Sequence, residues 1–215
     1  MNDFDRERRN LLRNLTIEEY LAKTASGDPV PGGGSAAALN AALAAALTEM
    51  VARLTIGRKN FEEVDDAMRE AAEKASLLHK KMIEEIDRDS EAYAKVLAAF
   101  QLPKEAPGEK AARAHAIEDA LKSAALVPLG VARAALAIME IARAVISRGN
   151  PHALSDGAAG LLAARMAVRA ALYNVRINLG AIKDRAFTDD LQREADRLEA
   201  KAETREKETL SRVTL

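Results

Sequence analysis

The sequence of 215 residues contains no cysteine and no tryptophan, and its aromatic residues make up 3% of the chain. Without cysteine there can be no disulfide, no thiolate metal site and no cysteine nucleophile. Charge of one sign is also missing: 32 basic and 33 acidic residues leave a net charge of -1, far from the basic footprint of a nucleic-acid binder. The three histidines, His79, His115 and His152, are scattered and form no HxxxH pair, so no metal site is expected. The opening MNDFDRERRNLL mixes both charge signs and has no apolar stretch of a secretory leader, which predicts a cytoplasmic protein.

What the sequence does have is alanine. Hydrophobic residues make up 48% of the chain, and alanine fills most of the apolar positions. Alanine is the strongest helix former and allows helix axes to lie close together. No strand-like alternation occurs anywhere, so the reading is all-α: a single domain, residues 1–215, built as a long-helix up-and-down bundle.

Thr16-Ile-Glu-Glu19 has the form of a capping box for a short helix ending near Ala25. Residues 27–34, with two prolines and four glycines, break it. Ser35 is the expected N-cap of an alanine-rich helix to about Ile56. That helix is long enough to span a bilayer, but Asn40, Glu49 and Arg53 interrupt it, which favours a buried helix of a soluble bundle. Further helices are expected from Asn60 to Phe100, from Glu109 to Ser147 with a kink at Pro128, from Asp156 to Lys183, and after a cap at Thr188-Asp-Asp190.

Three features break the helical pattern. Leu78, Met82, Ile86, Tyr93, Val96 and Phe100 fall within an arc of about 80° at 100° per residue. Asp89 sits near the middle of that arc, and a carboxylate there needs a partner or a purpose; Tyr93 is one turn away. Positions 156, 160, 163, 167, 171, 174 and 178 share a face and read Asp, Gly, Ala, Ala, Ala, Asn, Asn. Small residues admit another backbone, and Asn174 and Asn178 then need hydrogen bonds in tight space, either as an amide ladder between helices or as ligand contacts. Asp156, at a helix start, could simply cap it. Finally, Pro31-Gly-Gly-Gly-Ser35 opens a helix: glycines there permit positive φ or close ligand approach, and the helix start favours an anion. No GK[ST] follows, so it is not a nucleotide P-loop.

Together the segments resemble one family. Asp28-Pro-Val-Pro-Gly-Gly-Gly-Ser-Ala-Ala-Ala38, Met50-Val-Ala-Arg-Leu-Thr-Ile-Gly-Arg58, Asp89-Ser-Glu-Ala-Tyr93, Leu102-Pro103, Gly149-Asn-Pro-His-Ala-Leu-Ser-Asp156 and Asn174-Val-Arg-Ile-Asn-Leu179 resemble the formiminotetrahydrofolate cyclodeaminase family, in order and over nearly the whole chain. His152 departs from the pattern, where Asn is expected. The resemblance implies an all-helical homodimer acting on a folate. The reaction is either cyclodeamination of 5-formiminotetrahydrofolate to 5,10-methenyltetrahydrofolate and ammonia, or cyclohydrolysis of the methenyl form. Neither reaction requires a cofactor, and the charge balance and the interrupted alanine-rich helix argue against nucleic acid and a membrane as partners.

Such chemistry needs a base near nitrogen 10, an acid for the leaving group and a rigid pocket. Asp156 and Asp89 are the expected proton-handling pair. Asn174, Asn178, Asn150 and Tyr93 are expected to contact substrate, and Gly32, Gly33, Gly34 and Ser35 to cradle it. Arg58 and Lys59 could meet the glutamate tail. A non-catalytic helical dimer and a membrane bundle are the competing readings.

Overall fold

A computed structural model describes residues 11–211 and 213; the first ten residues, on which the non-secretory reading rests, lie outside the described residues. Six α-helices follow one another: α1 Ile17–Thr24, α2 Gly33–Arg53, α3 Asp65–Phe100, α4 Pro107–Arg148, α5 Leu154–Leu179 and α6 Arg185–Leu210, with no strand among the described residues. The capping box on α1 forms as expected, with the Glu19 amide donating to the Thr16 hydroxyl at 3.2 Å and the Thr16 amide to Glu19 at 2.8 Å.

Helix α2 runs through the middle of the bundle against α3, α4 and α5. Its inward positions, Ala37, Ala38, Ala41, Ala44, Ala45 and Ala52, are sealed completely from solvent. Larger side chains from the neighbours, among them Met82, Leu129, Ile138, Met139, Leu161 and Leu172, fill the spaces between the axes. Both α2 and α4 are long and apolar enough to cross a membrane, yet 56% of the apolar window of each is buried within the chain itself. Packing therefore accounts for most of that apolarity.

Helix α6 closes one side against α4 and α5. Ion pairs Arg133–Glu194, Arg176–Glu199 and Arg205–Glu140 stand along the seam. Half-exposed pairs of this kind contribute little each. The buried Leu191, Ala195, Leu198 and Ala202 supply the hold.

Several expected boundaries move. Helix α3 begins at Asp65 rather than Asn60, because Gly57 (φ 69°) and Asn60 (φ 75°) take left-handed conformations and a 3-10 turn, Glu62–Val64, intervenes. Helix α4 is continuous through Pro128, which is buried. The proline costs an internal hydrogen bond, and packing of α4 against four other helices, α2, α3, α5 and α6, offsets that loss. Asp184, not Thr188-Asp-Asp190, caps α6 by accepting from the Phe187 amide at 3.1 Å; the Thr188 hydroxyl instead donates to Arg185 O. Two capping signals lay within one turn, and the earlier one starts the helix.

Candidate active site

The N-terminus of α2, the middle of α3 and the C-terminal part of α5 enclose a cleft of about 390 Å³, with α4 contributing Ala124. Gly32, Gly33, Gly34, Asp89, Tyr93, Asn174 and Asn178 line it, as do Pro29, Val30, Val96 and Ile177. Seven residues selected from the sequence thus converge on one cleft.

Ser35 is not the N-cap; Gly32 is, and α2 begins at Gly33. Ser35 therefore lies inside the first turn, fully buried, where its backbone N–H has no intrahelical acceptor. Asp89 Oδ2 accepts from that amide at 2.9 Å. The Ser35 hydroxyl lies 2.9 Å from Ile86 O and 3.2 Å from the same carboxylate oxygen. The apolar stripe on α3 thus delivers a carboxylate to the positive end of α2. The stripe itself is buried at Met82 and Ile86 but emerges at Tyr93 and Phe100, where α3 extends toward solvent.

The glycines serve close approach rather than positive φ, which among the described residues occurs only at Gly57 and Asn60. A Cβ on Gly34 would lie 1.9 Å from Asp89 Oδ1, and one on Gly33 would lie 3.2 Å from Asn174 Nδ2. Of the two reasons for glycine here, positive φ and close approach, the structure shows no positive φ at Gly32, Gly33 or Gly34. The expected positive φ is replaced by direct contact between backbone and polar side chains.

Burial pushes the Asp89 carboxyl up from the ordinary carboxylate value, and the two Ser35 contacts act against that. Among the described residues no Lys, Arg or His forms an ion pair with it. Asn174 donates to Ala170 O on its own helix at 2.8 Å, while Asn178 donates across to Ala124 O on α4 at 3.0 Å. The two amides do not form a ladder with each other. Each spends its N–H on a carbonyl, and neither Oδ1 accepts a hydrogen bond among the described residues. The cleft therefore offers one desolvated carboxylate, two amide acceptors, and the Gly33 and Gly34 amides at a helix start.

Tyr20 escaped the sequence reading. It is buried, and its hydroxyl has no hydrogen-bond partner among the described residues. Burial, then the charges of Asp89 and Asp87, push the phenol up to about 12. A tyrosine following the α1 capping box, in a chain with three tyrosines, was the available signal.

The other expected residues lie elsewhere. Helices α2 and α5 are antiparallel neighbours: Gly33 adjoins Asn174, and Gly160 adjoins Leu47. Asp156, half-buried in the first turn of α5, is thus ~27 Å along the helix from Asn174. Asp89 and Asp156 are not assembled as a pair inside one chain. Asn150 is buried near the same far end, its N–H₂ donating to Leu54 O at 3.2 Å and its carbonyl accepting from the His152 amide at 3.0 Å. Arg58 and Lys59 are exposed in the turn after α2, also at that end. No group of three or more His, Asp or Glu is placed to hold a metal ion among the described residues.

An all-helical bundle with a carboxylate-and-amide cleft at a glycine-opened helix is the setting in which comparison with known proteins is informative. Residues 16–197 match the formiminotransferase-cyclodeaminase family, and the chain belongs to it. It is accordingly an enzyme of the cyclodeaminase and cyclohydrolase group. It is 40% identical to a methenyltetrahydrofolate cyclohydrolase of Methylorubrum extorquens over 88% of this chain and 91% of that protein. It is 32% identical to a formimidoyltransferase-cyclodeaminase of Sus scrofa, over 94% of this chain but only 37% of that longer protein. The crystal structure of formiminotetrahydrofolate cyclodeaminase from Thermotoga maritima superposes with a TM-score of 0.82 at 29% identity, covering 93% of this chain and 98% of that one.

Proposed function

We propose that this enzyme hydrolyses 5,10-methenyltetrahydrofolate, with the bridging carbon held at Asp89. The observation that carries the reading is Asp89 itself, a carboxylate raised by burial, anchored through one oxygen by Ser35 and facing a cleft without a paired cation. The methenyl substrate brings a cationic carbon, so it supplies the charge the site lacks. Water adds to that carbon, one proton leaves, and the ring opens at one carbon–nitrogen bond to give the formyl product. Asp89 takes the proton from the attacking water. The Gly33 and Gly34 amides, which line the cleft at a helix start, would stabilise negative charge developing on the attacking oxygen. Asn174 and Asn178 accept from pterin N–H groups, and Tyr93 packs at the rim. Neither a metal nor a cofactor enters these steps.

The end-to-end likeness to the Methylorubrum cyclohydrolase favours hydrolysis. Cyclodeamination is the second reading, favoured by the superposition on the Thermotoga cyclodeaminase. It uses the same carbon, with nitrogen 10 as nucleophile and ammonia as leaving group. The same proposal places the enzyme in the cytoplasm. Spectrophotometry with both folates separates the readings. Loss of methenyl absorbance supports hydrolysis, its growth from the formimino substrate supports deamination, and no change with either folate contradicts both.

A further inference from the structure

Helices α3 and α4 pack along each other and end in a tip, residues 101–112, that is exposed throughout. The stripe that carries Asp89 continues toward that tip through Tyr93, Val96, Leu97 and Phe100. Asp89, Tyr93 and Val96 line the cleft. Tyr93, Leu97 and Phe100 are exposed by 41%, 44% and 49%. Large apolar side chains in one row, leading out of a polar cleft, form a patch rather than scattered surface residues.

Arg113 of α4 closes the outer end of this row. Its guanidinium lies 5.8 Å from the centre of the Phe100 ring, and its Nη2 donates to Phe100 O at 3.0 Å. Stacking uses the face of a guanidinium and leaves its edge N–H groups for a carboxylate. The Arg113 Nε has no hydrogen-bond partner, and no carboxylate pairs with Arg113 among the described residues. Glu109, one turn earlier on α4, instead accepts from the Glu105 and Ala106 amides, each at 3.0 Å. Lys122, Arg169 and Arg176 are by contrast occupied: Lys122 by Asp184 at 2.8 Å, and the two arginines by Glu199 at 3.7 Å and 2.6 Å. Arg113 is thus a cation fixed in place and short of an anion. The Phe100 level where it stands is ~16 Å along α3 from Asp89.

The order along the stripe is a carboxylate, an apolar strip and a cation. The substrate proposed above has the complement in the same order: a cationic carbon, an aminobenzoyl ring and a glutamyl group with its carboxylates. We propose that the aminobenzoyl ring of the folate lies along Tyr93 and Val96, and that Arg113 binds a glutamyl carboxylate at the Phe100 level. The pterin then points the other way, toward Asn174 and Asn178. The end of the α3–α4 pair becomes the element that distinguishes a folate from a pterin without its tail. The identity of the ligand rests on the folate reading above.

Binding of two unreactive ligands tests the assignment. Tetrahydrofolate and the simple amide of tetrahydropteroic acid share the pterin and the aminobenzoyl ring, and the second lacks the glutamyl group. Neither carries the bridging carbon, so neither turns over. Calorimetry on the intact chain gives an affinity ratio for the pair, and a ratio taken within one protein is insensitive to how much of it is folded. Wild type should bind tetrahydrofolate about tenfold to a hundredfold more tightly, the size of a charge-assisted hydrogen bond. Arg113→Met, which keeps an unbranched stem over Phe100, should bring the ratio near one, and Arg113→Lys should restore part of it. Tyr93→Ala should weaken both ligands alike, because both carry the ring.

An unchanged ratio in Arg113→Met, or no preference in wild type, overturns the assignment and leaves the folate reading standing. A Tyr93→Ala protein that binds both ligands as tightly as wild type overturns the placement of the ring. Failure of wild type to bind either ligand overturns the assignment too, and the spectrophotometric assay with both folates then shows whether the folate reading falls with it.

Discussion

The two ends of the α2–α5 pair use glycine and asparagine to opposite effect. At the cleft, Gly33 and Gly34 make room for the polar groups of Asn174 and Asp89. The amides of Asn174 and Asn178 there keep an oxygen unspent. At the far end, Gly149 makes room for Val145 O and Gly157 for the Ile146 side chain. Asn150 there spends both ends of its amide on the backbone. One end is packed to be finished, and the other is packed to remain open to something else. Spare hydrogen-bonding capacity beside a desolvated carboxylate is costly in a folded protein, and a ligand that restores the missing partners offsets that cost.

The comparison can be broken most forcefully at the glycines. Gly34→Ala puts a carbon 1.9 Å from Asp89 Oδ1 and must displace the carboxylate. We expect about a hundredfold loss of turnover, the usual effect of misplacing a reacting group, with a fall in Tm. Gly149→Ala puts a carbon 2.5 Å from Val145 O. It should destabilise by about 1–3 kcal/mol while the folded fraction keeps most of its turnover. Equal activity losses in the two variants would erase the distinction between the ends.

The asparagines sharpen it. Asn150→Ala leaves Leu54 O and the His152 amide without their partner, and should cost about 1–3 kcal/mol in denaturant titration. Asn178→Ala gives up only the bond to Ala124 O, so about 1 kcal/mol is expected. Folate affinity, measured by calorimetry, should instead fall about tenfold.

The smallest effect concerns pH. Asp89 is raised by burial, so the fold favours its protonated form. Its contribution to stability is present below the ordinary carboxylate value of about 4 and is lost as pH rises through the raised value. Asp89→Asn should therefore melt slightly higher than wild type near neutral pH, and the gap should close on acidification. A variant that melts lower at every pH would show that the carboxylate is held mainly for structure.

How far these properties could be read from the sequence depends on whether the signal is local. Alanine content and capping patterns are local, and they yielded the all-helical fold and its helix order. Asp89 was legible because a charge centred on an apolar arc violates a period. Tyr20 was not, because an aromatic beside a capping box looks like ordinary core. The reason for Gly34 was equally hidden: its neighbour Asp89 is 55 residues away in sequence, and only packing brings the two into contact. Asp156 was selected by motif; helical rise alone sets it ~27 Å from Asn174 on the same helix, but only packing shows that the cleft forms at the Asn174 end.

The central claim is that Asp89 is retained as a charge for the substrate, and turnover of the Asp89→Asn protein tests it most directly. Followed by methenyl absorbance, that variant should lose two to four orders of magnitude in turnover, the usual size of a general-base contribution, with its melting temperature unchanged or raised. Wild-type turnover in Asp89→Asn would contradict the account and leave the cleft without its proposed role.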